Sequence, residues 1–478
     1  MDSKDDSTVA TKWYHVNREA IPSKVAYIVS TIKDGCTHPF INLFLISIGL
    51  SPFKAGLVTG LSLIGSVLGS IFWGMMTDWS KRYQIIIVIV SCGASISMLV
   101  QPWIPNMFNE YLWLNQSDCN IYNATNSTNH TEHNSLPCQN TELQLFWTFL
   151  CICTVAMFFD GYFLTFVDSV VMNQCTHSKR KMDIGRQRAF GSAGISIGSL
   201  LFGALVPLMP SSGAISKYSV QHFLYPFSVM CLLVTSPFLI KRGKLDQTSS
   251  PKEKDSIVRL LLTTVLQLDV LFFLATVLFV ATSSFLSVAF VTVLMNELKF
   301  PDAILGVIVA AGFISGFFMY FFATIFIRIF RGTFPTLLIC CVLNIARFGL
   351  YSYTSSPYVF LVVQLFHPFM HSVPVIAALQ HTKMISPQKV TTSMYGVLSG
   401  TIYGAGRLLA NIAGGSVYQS YGGRVMYKGA MYISIGWSCL VLMYMLATYI
   451  KSSAQNEAVA LESANDNKEG DKLLTSSV

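Results

Sequence analysis

Residues 241–259, KRGKLDQTSSPKEKDSIVR, divide this chain in two. The stretch is polar, basic and interrupted by Pro251, while the sequence on either side is almost continuously apolar. Each flank breaks into six hydrophobic runs. A basic tether between two apolar halves of similar design predicts a duplicated membrane protein with its tether on the cytoplasmic side.

Composition supports a bilayer as the solvent. Of the 478 residues, 52% are hydrophobic and 12% are charged, with a mean hydropathy of +0.52. Soluble domains carry about 25% charged residues. The formal net charge of +8 is compatible with nucleic acid in sign, but its distribution follows membrane orientation instead, so no nucleic-acid partner is expected. The eleven Cys form no C-x-x-C pair, and most lie in apolar runs, where small buried residues are expected. Residues 1–21 lack an apolar core, which predicts no cleaved signal peptide.

A membrane span needs about 20 apolar residues. The runs predict twelve helical spans: 24–48, 55–76, 84–104, 145–168, 188–208 and 222–240, then 263–294, 302–327, 334–353, 357–382, 392–417 and 429–450. The domain reading is a cytoplasmic tail 1–23, a six-helix bundle 24–240 with a glycosylated loop 105–144, a linker 241–262, a second bundle 263–450 and a cytoplasmic tail 451–478.

The third and fourth spans are joined by a polar loop with four N-x-S/T sequons, at Asn115, Asn123, Asn126 and Asn129. Glycan acceptors belong on the lumenal or extracellular side. Cys119 and Cys138 share that loop and can pair in an oxidising compartment, or stand as free thiols. With this loop outside, both termini fall inside. Basic residues agree: Lys179, Arg180, Lys181 and Arg186 lie on the predicted inside, whereas Lys54, Lys217, Lys299, Arg424 and Lys428 are those left outside. The tail after Lys451 is polar and is expected to be disordered. Its Glu469, Leu473 and Leu474 resemble an acidic dileucine signal read by clathrin adaptors, and Ser476–Val478 resembles a PDZ ligand. Both patterns are short enough to arise by chance; as signals they predict a place in the plasma membrane or the endolysosomal membrane.

Glycines four residues apart let helix backbones approach closely. They occur as Gly56/Gly60 and Gly65/Gly69, Gly194/Gly198, Gly312/Gly316, and Gly396/Gly400/Gly404. The pattern recurs every third span, which points to a duplicated six-helix unit.

Residues 74–82, GMMTDWSKR, leave span two with Gly74, Asp78, Lys81 and Arg82 in a G-x-x-x-D…R/K arrangement. This resembles the loop motif of the major facilitator superfamily. Residues 24–83, 184–194 (IGRQRAFGSAG) and 393–424 narrow the resemblance to the branch near lactose permease and nucleoside–proton symporters, and within it to a subgroup of animal proteins. The loop motif has Lys81 where a Gly is usual, and the matching region 328–331 lacks the acid. The resemblance implies an all-α membrane protein of two pseudo-symmetric six-helix bundles. Spans 2, 5, 8 and 11 would form the seam, and spans 1, 4, 7 and 10 would line a central cavity.

Ionisable side chains inside spans are costly and are functional candidates by default. Span one holds Lys33, Asp34 and His38, with Asp34 near the midplane at about 1.5 Å per residue. Asp34 and His38 share a face at i,i+4, with Lys33 expected to point elsewhere. Pro39 cannot donate to the Gly35 carbonyl, so a kink is expected there. The bland alternative is a structural ion pair holding that kink. Span four carries Asp160 and, eight residues later, Asp168, which can meet Arg186 or Arg188 in a structural gate. Span ten carries Gln364, His367 and His371 on one stripe, with Pro368 and Pro374 nearby. Two His at i,i+4 can bind zinc, but no third ligand is near, so a polar cavity lining is expected and no metal or other cofactor. Arg347 occupies a place like the helix-nine Arg of lactose permease, and Arg407 lies in span eleven. Gly194-Ile-Ser196-Ile-Gly198 matches a hydrolase elbow but sits in a predicted helix rather than a strand–turn–helix, so no enzyme is expected.

The resulting expectation is a secondary active transporter of a small polar solute, coupled to protons through Asp34. The acid-poor second half suits an anionic or strongly hydrogen-bonding solute. The rival reading is a receptor or adaptor that kept the fold without transport.

Overall fold

The computed structural model describes residues 21–80, 82–107, 136–177, 184–209, 215–242, 254–387 and 390–475. Within them, nine helices are long and apolar enough to cross a membrane: Pro52–Thr77, Tyr83–Met107, Glu142–Val171, Gln187–Leu208, Lys217–Leu239, Leu268–Glu297, Asp302–Ile329, Thr333–Tyr353 and Gly423–Lys451. A tenth crossing is the pair Pro357–Leu365 and His367–Ile385, bent by 47°. Ile64, Val67, Leu68, Ile71 and Val234 stand exposed on these helices, as lipid-facing side chains do.

The sequence predicts twelve spans, and the two not among these ten carry irregular backbone. The first is α1 (Ile21–Thr37) and α2 (Ile41–Ser47). Pro39 removes the donor that the Gly35 carbonyl would otherwise receive. That carbonyl is satisfied instead by the Ser199 hydroxyl at 2.9 Å, from the helix Ile184–Leu205. The other is Thr391–Ser399, a π-helical turn Gly400–Gly406, and Arg407–Tyr421. The tenth span breaks at a 3-10 turn, His367–Phe369, that contains Pro368. These three spans carry sequence-predicted site residues. Irregular backbone at membrane depth occurs where it lines protein or cavity rather than lipid.

Two end corrections follow. The tether's second half is helical, Lys254–Val265, before a break and the span Leu268–Glu297. The C-terminal tail expected to be disordered is helical as far as Thr475, continuous with the last span. Its Ala, Glu, Gln, Lys and Leu are good helix formers, and it contains no Pro.

The described residues fall into two compact units. Unit 1 takes in the described residues of Met1–Leu50, Leu61–Ser250 and Pro301–Phe321; unit 2 takes in those of Ser51–Gly60, Pro251–Phe300 and Phe322–Val478. The glycines explain part of the packing in each, in a way the repeat alone does not. In unit 1, a Cβ on Gly194 or Gly198 would collide with the carbonyl of Ile28 or Ile32, and one on Gly35 with that of Ile195. So α1 and the helix Ile184–Leu205 touch backbone to backbone. Gly65, Gly69 and Gly161 do the same between Leu63–Ser80 and Leu136–His177. These glycines therefore pack span five on span one and span two on span four. A different pair, Gly203 and Gly306, meets in unit 1. In unit 2, Gly56 lies against the Asn411 carbonyl, and the Thr59 hydroxyl donates to Asn411 Oδ1 at 3.0 Å. Gly396, Gly400 and Gly404 have no atom within 4 Å of where a Cβ would stand, so their spacing serves no close contact here.

Candidate functional site: two polar clusters inside helical units

The first cluster lies in unit 1. Lys33 Nζ sits 2.7 Å from Asp34 Oδ1 and 2.6 Å from Asp160 Oδ1. Its side chain is 4% exposed, against 21% for Asp34 and 13% for Asp160. This corrects the expectation that Lys33 points away: its four-carbon stem is long enough to swing the ammonium back over the next residue. His38 Nε2 lies 3.4 Å from Asp34 Oδ1, on the shared face that i,i+4 spacing requires. The Tyr225 hydroxyl donates to Asp160 Oδ1 at 2.5 Å. The rings of Phe163 and Tyr225 stand 5.4 and 5.6 Å from the ammonium, within cation–π range. One ammonium between two carboxylates leaves the cluster one net negative charge when His38 is neutral.

Eight residues on, Asp168 accepts from the Tyr27 hydroxyl at 2.5 Å and pairs with Arg188 at 3.4 Å. The expected Asp168–Arg188 contact is thus present, on half-exposed side chains where such a pair adds little stability. Gly74 lies inside the helix Leu63–Ser80, and Arg82 is exposed just beyond it. Lys81 and the sequons at Asn115, Asn123, Asn126 and Asn129 lie outside the described residues, as do Cys119 and the side chains of Asp78, Cys138 and Arg186.

The second cluster lies in unit 2. Arg347, on the helix Thr333–Tyr353, is 2% exposed. Its Nη2 donates to Gln364 Oε1 at 2.8 Å, its Nε to the Tyr351 hydroxyl at 3.3 Å and its Nη1 to Met370 Sδ at 3.3 Å. The break after Leu365 brings Gln364 and Met370, on opposite sides of the turn, to one guanidinium. His367 and His371 stack face to face, ring centres 5.9 Å apart and 6° from parallel. His371 Nδ1 lies 3.4 Å from the Ser284 hydroxyl. Parallel rings do not converge on a common ion, and among the described residues no group of three His, Cys, Asp or Glu could hold a metal. Arg407, half-buried, follows the π-helical turn and is not among the groups that Arg347 binds. Ser196, in the hydrolase-like motif, is helical and donates to the carbonyls of Ser192 and Ala310.

Sequence reasoning missed Tyr27, Tyr225, Ser199, Tyr351 and Met370. No pattern marks them: the chain holds 20 Tyr and 19 Met, and only tertiary proximity selects these.

Apolar helices facing lipid, broken spans and buried charges define a helical membrane protein of the major facilitator fold. The chain belongs to the MFS_1 like family, whose profile matches residues 24–428. Its fold is similar to that of the nucleoside transporter NupG, with a TM-score of 0.65 at 13% identity over 91% of this chain and 99% of that one. A point mutant of NupG gives 0.68 at 12% identity, over 90% and 99%. A bacterial homologue of the human lysosomal transporter Spinster, inward-facing and occupied, gives 0.55 at 14%, over 91% and 95%.

Proposed function

We propose that the protein is a secondary active transporter of a small polar solute, working by alternating access and coupled to protons. The observation that carries this is the Lys33–Asp34–Asp160 cluster. Buried charges in a membrane are retained where they bind or move ions. A proton on Asp34 takes the cluster from one net negative charge to none. It also leaves Lys33 held by Asp160 alone, with Tyr225 still on that carboxylate. Two occupancies with different bonding can bias two conformations of α1 against the helix Leu136–His177. His38 is placed to pass or share the proton with Asp34. The finer resemblance is to the animal proteins called major facilitator superfamily domain-containing protein 6. Both termini cytoplasmic, glycans on the loop 105–144 and the tail signals belong to the same proposal.

The test is accumulation in proteoliposomes under an imposed pH gradient, with a solute found by thermal-shift screening. Asp34→Asn keeps the shape and removes the titration. It should abolish pH-driven accumulation while solute binding persists, and Asp160→Asn should act the same way more weakly. Accumulation by Asp34→Asn equal to wild type would move the proton path away from this residue. Mutating all four sequon Asn to Gln should lower the apparent mass on gels; unchanged mobility removes the main support for the orientation.

A further inference from the structure

Unit 2 buries a cation without a counter-charge. The acceptors around Arg347 are a phenol, a thioether and an amide, all neutral, and among the described residues it makes no ion pair. A guanidinium carries five N–H donors, so its bonding capacity is unfilled. One helical turn earlier, on the same face, Asn344 is fully buried, and neither its Oδ1 nor its Nδ2 has a hydrogen-bond partner. The Tyr427 hydroxyl, equally buried, also has none, and its ring lies 5.2 Å from that of Tyr351. An uncompensated charge and two orphaned polar groups in one place are expensive to bury. A core needing only bulk would fill these positions with apolar side chains at lower cost.

We propose that Arg347, Asn344 and Tyr427 bind the carboxylate of a small organic acid. The planar guanidinium fork matches a carboxylate in two parallel bonds. One fixed cation matches one negative charge, whereas a phosphate brings nearly two. A neutral polyol would leave the guanidinium uncompensated. The Tyr427 hydroxyl and the Asn344 amide supply further donors, and Asn344 Oδ1 offers an acceptor to a hydroxyl or amine beside the carboxylate. Gln364 stands three residues before the turn His367–Phe369 that breaks the tenth span, so the site adjoins irregular backbone. The inference rests on the transport reading for access and turnover, but not for binding.

The experiment uses the purified full-length chain and a panel of small carboxylates from formate to citrate, each beside its neutral amide. The readout is the thermal unfolding midpoint against concentration. At least one carboxylate should raise the midpoint while its amide does not. Arg347→Lys, which keeps the charge and loses the fork, should raise the half-maximal concentration at least tenfold. Asn344→Leu, which leaves the charge untouched, should raise it severalfold and serves where an arginine variant does not fold. The proposal is overturned if no carboxylate outperforms its amide, or if protection is unchanged in whichever of these variants folds. Uptake separates the two readings. Acid-driven uptake of neutral solutes with no carboxylate protection removes this site and leaves transport. Carboxylate protection lost in Arg347→Lys, with no uptake of any solute, removes transport and leaves the site.

Discussion

The Lys33 cluster and the Arg347 cluster treat a buried cation in opposite ways. Lys33 is clamped between two acids and a tyrosine supports one of them. Arg347 is held by neutral oxygens and a sulfur. In the first case the protein itself supplies compensation and has one carboxylate in surplus. In the second, compensation has to come from outside the chain or be forgone. The residue types fit these roles, since an ammonium is a compact charge whose protonation state can change, while a guanidinium stays charged and reads planar anions.

The largest effect that would sharpen this contrast is on folding. Lys33→Met leaves two acids buried together and should cost about 3–5 kcal/mol. Arg347→Met abandons no counter-charge among the described residues, and its lost hydrogen bonds are offset by relief of a buried uncompensated charge, so it should cost only about 1 kcal/mol. Heating series read by fluorescence-detected size exclusion would give both shifts. Equal losses would break the comparison. Adding Asp160→Asn to Lys33→Met should recover part of the first loss.

Next in size is the backbone contact that places the first cluster. Gly198→Ala drives a methyl into the Ile32 carbonyl and should cost about 1–3 kcal/mol, displacing α1 and with it Lys33 and Asp34. The same readout applies, and an unshifted midpoint would mean that the two helices can part without penalty. Tyr225→Phe should cost about 1–2 kcal/mol, because a charged acceptor loses one donor. The smallest effect is expected in unit 2. Gly400→Ala meets open space and should stay within about 0.5 kcal/mol of wild type.

The helical membrane fold was legible because bilayer burial writes itself into every run of about 20 residues. The break in the first span was legible from Pro39 alone. The Asp34–His38 pair followed from helical spacing, as did the placing of Asp168 above Asp160. What was not legible depends on reach and on neighbours in space. Lys33 was assigned the wrong direction because spacing fixes the Cβ, not the end of a flexible stem. Glycine spacing reveals that backbones approach, but not which backbones: that Gly194 and Gly198 meet α1 is visible only in the structure. Asn344 carries no sequence signal at all, since its weight comes from burial without a partner.

The last helix runs unbroken from Gly423 to Thr475, although its membrane-crossing part stops at Lys451. Residues 452–475 then form a strut of roughly 36 Å at about 1.5 Å per residue. Glu469 and Leu473 are four residues apart in the sequence, about one helical turn. Any sorting protein that reads them as an extended peptide must first unwind the final turns. Helix ends fray readily, so that step is cheap at Leu473 and Leu474 and grows dearer toward the bilayer. Any signal carried on such a tail would be held at a fixed stand-off, with only its tip released for inspection.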